Sequence, residues 1–144
     1  MSRTMGVDVG TKRVGVAFSD LGGTVATAHS TLEIDDVHDA GQQLADLAEE
    51  RRADRAVFGW PIRMDGSEGR AVANVREMIE EFRRAAEQRG LEVSIDRWDE
   101  RMTSIAAEDV LIDADLSRKK RRGIVDRVAA TRILQSYLDA QDDD

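Results

Sequence analysis

The chain has 144 residues, enough for one domain around a single sizeable core. With no cysteine and two histidines, disulfides, thiolate metal sites, cysteine nucleophiles and histidine-rich metal sites are excluded. The 21 basic and 29 acidic residues leave a formal charge of −8, which taken whole argues against a nucleic-acid binder.

Residues 4–9 (TMGVDV) and 13–19 (RVGVAFS) alternate as two short strands around a hairpin-like turn, Gly10-Thr11-Lys12. A third strand is expected within 24–33. Ala40, Gly41, Leu44, Leu47 and Ala48 recur at helical spacing, predicting a helix from Val37 to about Glu50. Residues 56–60 (AVFGW) are apolar throughout and closed by Pro61, the pattern of a strand covered on both faces. The loop 61–69 follows, with Asp65 or Ser67 as the expected cap of the next helix. That helix carries the most regular stripe, Val72, Val75, Ile79, Phe82 and Ala86, and Gly90 should stop it. Residues 91–98 (LEVSIDRW) read as a strand, Thr103 or Ser104 as the cap of a helix to about Asp113, 114–123 as a polar loop, and Ile124 to about Leu138 as the last helix. An opening hairpin followed by alternating strands and helices implies a mixed sheet flanked by helices. Residues 1–139 are expected to form one domain and 140–144 an acidic tail. No apolar run approaches the ~18 residues of a membrane span and no leader-like segment opens the sequence, so a cytoplasmic protein without a membrane partner is expected.

The net charge is a sum of opposed segments. Residues 21–50 hold acids and no base, whereas Arg118, Lys119, Lys120, Arg121 and Arg122 form a basic block. Three acids stand in unusual places. Asp8 lies inside a strand, where a carboxylate is costly unless paired or metal-bound, and by alternation it shares a face with Gly6 and Gly10, which leave that face open. Glu100 follows a strand end, where open α/β sheets bind ligands. Asp126 precedes Ala129, Ala130, Ile133 and Tyr137 at helical intervals, so it shares the inward stripe of the last helix. Acids converging from these three elements, without Cys or clustered His, favour the hard cations Mg²⁺ or Mn²⁺. Two such ions orient and activate water and stabilise the leaving oxygen of a phosphodiester. The basic block would hold a nucleic-acid backbone beside them. Lys12 and Arg13 at the hairpin turn, and Arg63 and Arg70 flanking the 61–69 loop, are further candidate phosphate contacts. Asp20 and Asp99 are weaker candidates as auxiliary ligands and read better as turn residues. Trp60 reads as core and Trp98 as packing, with base stacking the alternative for Trp98.

DVGTKRVGVAFSD (8–20), GWPIRMDGSEG (59–69), DERMTS (99–104) and the basic stretch followed by IVDRVAATRILQSYLD (124–139) resemble the YqgF/RuvX family. The motifs span nearly the whole chain. The resemblance implies an RNase H-like α/β fold with a mixed five-stranded sheet, antiparallel at its opening strands and parallel after them. It also implies that Asp8, Glu100 and Asp126 are metal-binding catalytic acids. The function implied is a nuclease maturing the 5′ end of pre-16S rRNA, acting on precursor rRNA, with a ribosomal subunit precursor as a further partner. A Holliday junction resolvase acting as a dimer on branched DNA is the alternative, and a non-catalytic RNA-binding assembly factor the third reading. Either a monomer or a homodimer fits. Trp60 stands where the family usually has leucine, and Arg63 where Asn is common. The Asp-x-Gly-Thr turn also resembles that of actin-like ATPases and sugar kinases, but the chain is too short for their second domain and holds no Walker-type loop.

Overall fold

The computed structural model describes residues 3–103 and 118–142, with the backbone alone described for 118–127 and 142. Strand β1 (Arg3–Val9) turns through residues 10–12 into antiparallel β2 (Arg13–Ser19), and β3 (Ala26–Glu33) continues the meander. Helix α1 (Val37–Arg51), β4 (Ala53–Trp60), helix α2 (Arg70–Gln88) and β5 (Ser94–Asp99) then alternate. A single 3-10 turn at Glu100–Met102 follows, and helix α3 (Arg118–Asp142) comes last. The five strands lie in the order β3-β2-β1-β4-β5, with β1, β4 and β5 mutually parallel. This is the mixed RNase H-like sheet that the sequence leads one to expect.

The alternation of side chains divides the core into two layers. Met5, Val7, Ala56, Phe58 and Trp60 pack against Leu44, Ala48, Val75, Ile79 and Phe82 of α1 and α2. On the opposite face Ala17 and Val57 meet Ala130, Ile133, Leu134, Tyr137 and Leu138 of α3. Both faces of β4 are covered, as its unbroken apolar run implied. The local devices are ordinary ones. Asp36 caps α1 by accepting from the His38 N–H at 3.0 Å, and Arg52 closes that helix in the left-handed region at φ 57°. Gly90, at φ +69°, ends α2, and the Leu91 N–H turns back to the Ala86 carbonyl at 2.9 Å. That N–H is spent on the helix end, so β5 begins at Ser94 rather than at residue 91.

Two further boundaries differ from the sequence reading. Gly69 is the N-cap of α2 without a side-chain bond; Asp65 instead accepts from the Ser67 N–H at 2.8 Å and hydroxyl at 2.6 Å within the loop. Helix α3 begins at Arg118, so residues 118–123 are helical rather than a loop, and it runs on to Asp142. The helix expected from Thr103 or Ser104 to Asp113 lies outside the described residues, apart from Thr103, which closes the 3-10 turn. Among the described residues no helix is long and apolar enough to cross a membrane.

Candidate active site

The parallel strands β1, β4 and β5 all point toward one edge of the sheet, and their carboxyl ends carry the candidate acids. Asp8 is half-buried on β1. It projects to the α3 face, because Gly6, two residues earlier, lies against Leu134. Across the antiparallel ladder Asp8 stands opposite Gly15. On the parallel side Val7 pairs with Phe58, so one step further Asp8 stands beside Gly59. Both neighbouring strands thus present bare backbone to this carboxylate.

Glu100 comes from the other side. It follows β5 directly, and its side chain folds back over β4. A Cβ at Gly59 would sit 3.2 Å from the Glu100 carboxyl carbon and 2.7 Å from Ile133 Cδ1. A side chain at position 59 would clash with Ile133 and crowd the Glu100 carboxyl. Neighbouring strands are ~4.8 Å apart, so the carboxylate over Gly59 occupies the lane next to Asp8. Burial pushes the Glu100 carboxyl above its ordinary value, with the nearby Asp99 charge adding to the rise. Among the described residues no cation pairs with it. Asp99 cannot serve in Glu100's place: both its oxygens hold the Arg101 guanidinium at 3.0–3.1 Å and 2.7 Å, and it caps the 3-10 turn through the Arg101 N–H. The Arg101 guanidinium lies near Gly66 of the 61–69 loop.

Helix α3 crosses this face in a definite direction. The Ala130 carbonyl lies over Gly6, while the Tyr137 hydroxyl meets Arg55 and Asp96 near the amino ends of β4 and β5. The helix therefore enters at the carboxyl edge, and the backbone of Asp126 lies one turn, ~6 Å, nearer that edge than Ala130. Asp8 lies ~6.6 Å beyond Gly6 along β1, a matching advance. The side chain of Asp126 lies outside the described residues, as do those of Arg118, Lys119, Lys120, Arg121 and Arg122; their backbone forms the first turns of α3. Among the described residues no group of three or more His, Asp or Glu forms a metal-holding cluster. Ala130, Ile133 and Tyr137 of the expected inward stripe are buried.

The other candidates scatter around the same edge. Lys12 is exposed at the hairpin turn, where its carbonyl accepts from the Ile34 N–H at 2.8 Å. Arg13 opens β2. Arg63 and Arg70 are exposed at the two ends of the loop before α2, with the Arg63 guanidinium lying against Gly69. Asp20 does turn work, accepting from the Thr24 and Val25 N–H groups at 2.7 and 3.1 Å. Trp98 is packing: its indole donates to Ser136 Oγ at 3.0 Å and its ring meets Tyr137 edge-on.

Two features differ from the sequence reading. Gly6 does not leave an open face; it lets α3 approach, since a Cβ there would meet Leu134 Cβ at 2.7 Å. Gly59 passed unnoticed within an apolar run, although a glycine inside a buried strand is itself a signal of close approach.

A family model described as RuvX, Holliday junction resolvase, matches residues 2–140. The chain belongs to the RuvX family. A curated relative from Syntrophomonas wolfei is 42% identical over 137 residues, covering 95% of this chain and 94% of its own length. One from Geobacillus thermodenitrificans is 43% identical over 145 residues, covering 96% and 99%. Both bear the name "Putative pre-16S rRNA nuclease". Among solved structures, Thermus thermophilus RuvC in complex with a Holliday junction substrate superposes with a TM-score of 0.63 at 12% identity, over 99% of this chain and 97% of that one. The yeast mitochondrial Holliday junction resolvase Ydc2 gives 0.60 at 15%, over 98% and 79%. These two share the fold. As a member of the RuvX family, the protein is a hydrolytic nuclease.

Proposed function

We propose that this nuclease is a divalent-metal-dependent endonuclease acting in 5′-end maturation of pre-16S rRNA. The observation that carries the reading is the placement of Asp8 and Glu100. Two carboxylates stand in adjacent lanes beside bare glycine backbone at the carboxyl edge of the parallel strands, and the described residues supply no cation for Glu100. Such a pair repels a phosphodiester unless a cation stands between them. An all-oxygen donor set suits Mg²⁺ or Mn²⁺, and Asp8, Glu100 and Asp126 would hold a two-ion site. When bound, these ions supply activation of water and stabilisation of the leaving oxygen.

The chain's own residues do the rest. Asp8, fixed in the middle of a sheet, sets the position of the site to the precision of the strand ladder. Glu100 is held over Gly59 by the capped 3-10 turn that follows β5. Lys12, Arg13, Arg63, Arg70 and the block 118–122 neutralise the substrate backbone around the acids. Because α3 begins at Arg118, that block is borne on a helix, at a fixed pitch along the strand it contacts. Hydrolysis forms a bond from water oxygen to phosphorus and breaks the bond to the 3′ oxygen, leaving a 5′-phosphate and a 3′-hydroxyl end. The substrate assignment is supported by the relatives' printed name and their full-length match.

The test is cleavage of a precursor rRNA mimic with Mn²⁺ by the wild type and by Asp8→Asn, Glu100→Gln and Asp126→Asn. All three variants should fold and lose cleavage, and full activity in Asp8→Asn would overturn the assignment. The resolvase reading is favoured by the family model's description and by the RuvC-like fold. It requires two sites related by symmetry, so symmetric cutting of four-way DNA by a sedimenting dimer, with no RNA cleavage, would establish it instead.

A further inference from the structure

Beyond the residues already assigned, one cluster of positive charge stands at the same end of the sheet on the opposite face. Trp60, the last residue of β4, is 5% exposed. Its ring is covered by two guanidinium groups, that of Arg97 from β5 at 4.2 Å from the ring centroid and that of Arg76 from α2 at 5.3 Å. Arg76 is also held by Glu68 at 3.2 Å, but Arg97 is exposed and forms no ion pair among the described residues. The nearby acid Asp99 is committed to Arg101. The ring seats the Arg97 guanidinium, and a pre-positioned guanidinium suits a phosphate.

Strand β5 is the edge of the sheet. Arg97 lies on it two residues before Asp99 and three before Glu100, and Trp60 leads directly into the loop bearing Arg63. A nucleic-acid strand leaving the acids past the β5 edge would therefore meet Arg63 and then Arg97. We infer that Arg97, seated on Trp60, is a positioning contact for the phosphodiester backbone of the substrate, flanking the scissile position on the β5 side. The inference rests on the nuclease reading above and extends its binding surface to a face that the acids do not touch.

The experiment measures binding of the full chain to a fluorescent single-stranded RNA and to a four-way DNA junction, in EDTA, across a salt series. Arg97→Ala should bind roughly fivefold more weakly at low salt, with the slope of log K against log salt shallower by about 0.7 on single-stranded RNA or about 0.9 on the duplex arms. Arg97→Lys should restore most of the slope. A loss on one probe alone identifies which backbone passes over β5. An unchanged slope on both probes overturns the inference, as does a fall in melting temperature with no change in slope, which would make Arg97 only a cover for Trp60. Failure of the metal-dependent reading shows separately, as cleavage retained by Asp8→Asn, and leaves the Arg97 comparison standing.

Discussion

The two ends of the sheet beneath α3 are built on opposite principles. At the amino end side-chain hydrogen bonds tie the helix to the sheet: the Tyr137 hydroxyl donates to Asp96 at 2.6 Å and accepts from Arg55 at 2.7 Å, and Trp98 is bonded to Ser136. At the carboxyl end the same helix and the same strands frame Asp8 and Glu100 with glycine backbone, and no cation faces Glu100 among the described residues. One end anchors the helix; the other holds the Glu100 carboxyl partly buried with no cation among the described residues, at a cost in stability that the rest of the fold supplies.

Opening a cavity between α3 and the sheet should cost the most stability. Ile133, fully buried under Gly59 and Val57, should lose about 2–5 kcal/mol on replacement by alanine, read as a lowered midpoint in urea. Gly59→Ala separates the two ends more sharply. Its new methyl would meet Ile133 Cδ1 at 2.7 Å and the Glu100 carboxyl at 3.2 Å, so about 1–3 kcal/mol should be lost while cleavage falls far more than folding explains. Tyr137→Phe should do the reverse, costing about 1 kcal/mol with cleavage at the wild-type rate.

The tyrosine also gives a pH signature. Burial, and then its bond to Asp96, push the Tyr137 phenol above its ordinary value of 10.0. The folded value is the higher one, so the contribution is whole below about pH 10 and is lost as pH rises through the folded value. Urea midpoints should fall on the alkaline side in the wild type and fall less in Tyr137→Phe. The smallest effect belongs far from both ends. Removing Arg83, whose exposed pair with Glu80 spans 2.6 Å, should change stability by no more than about 0.5 kcal/mol.

Much of this division could be read from the residues. Strand alternation located Asp8, and the apolar run of β4 announced two covered faces, because both patterns follow directly from a two-residue repeat. Asp126 was visible only through the stripe behind it. The first turns of α3 were missed because helix reading rests on apolar periodicity, and Arg118 to Arg122 have none; their backbone is nonetheless helical, as arginine and lysine favour. Glu100 was flagged by its position after a strand, but its neighbour Gly59 was not, since the contact joins residues from different elements. Trp60 looked like plain core until the register of β4 and β5 set Arg97 over its ring.

Calorimetric titration of Mn²⁺ decides whether Asp8 and Glu100 jointly hold a divalent cation. Saturable binding is expected in the wild type and its loss in both Asp8→Asn and Glu100→Gln, with Glu100→Gln as stable as the wild type in EDTA because its buried charge is gone. Mn²⁺ binding of unchanged affinity and stoichiometry in both variants would contradict a jointly held cation.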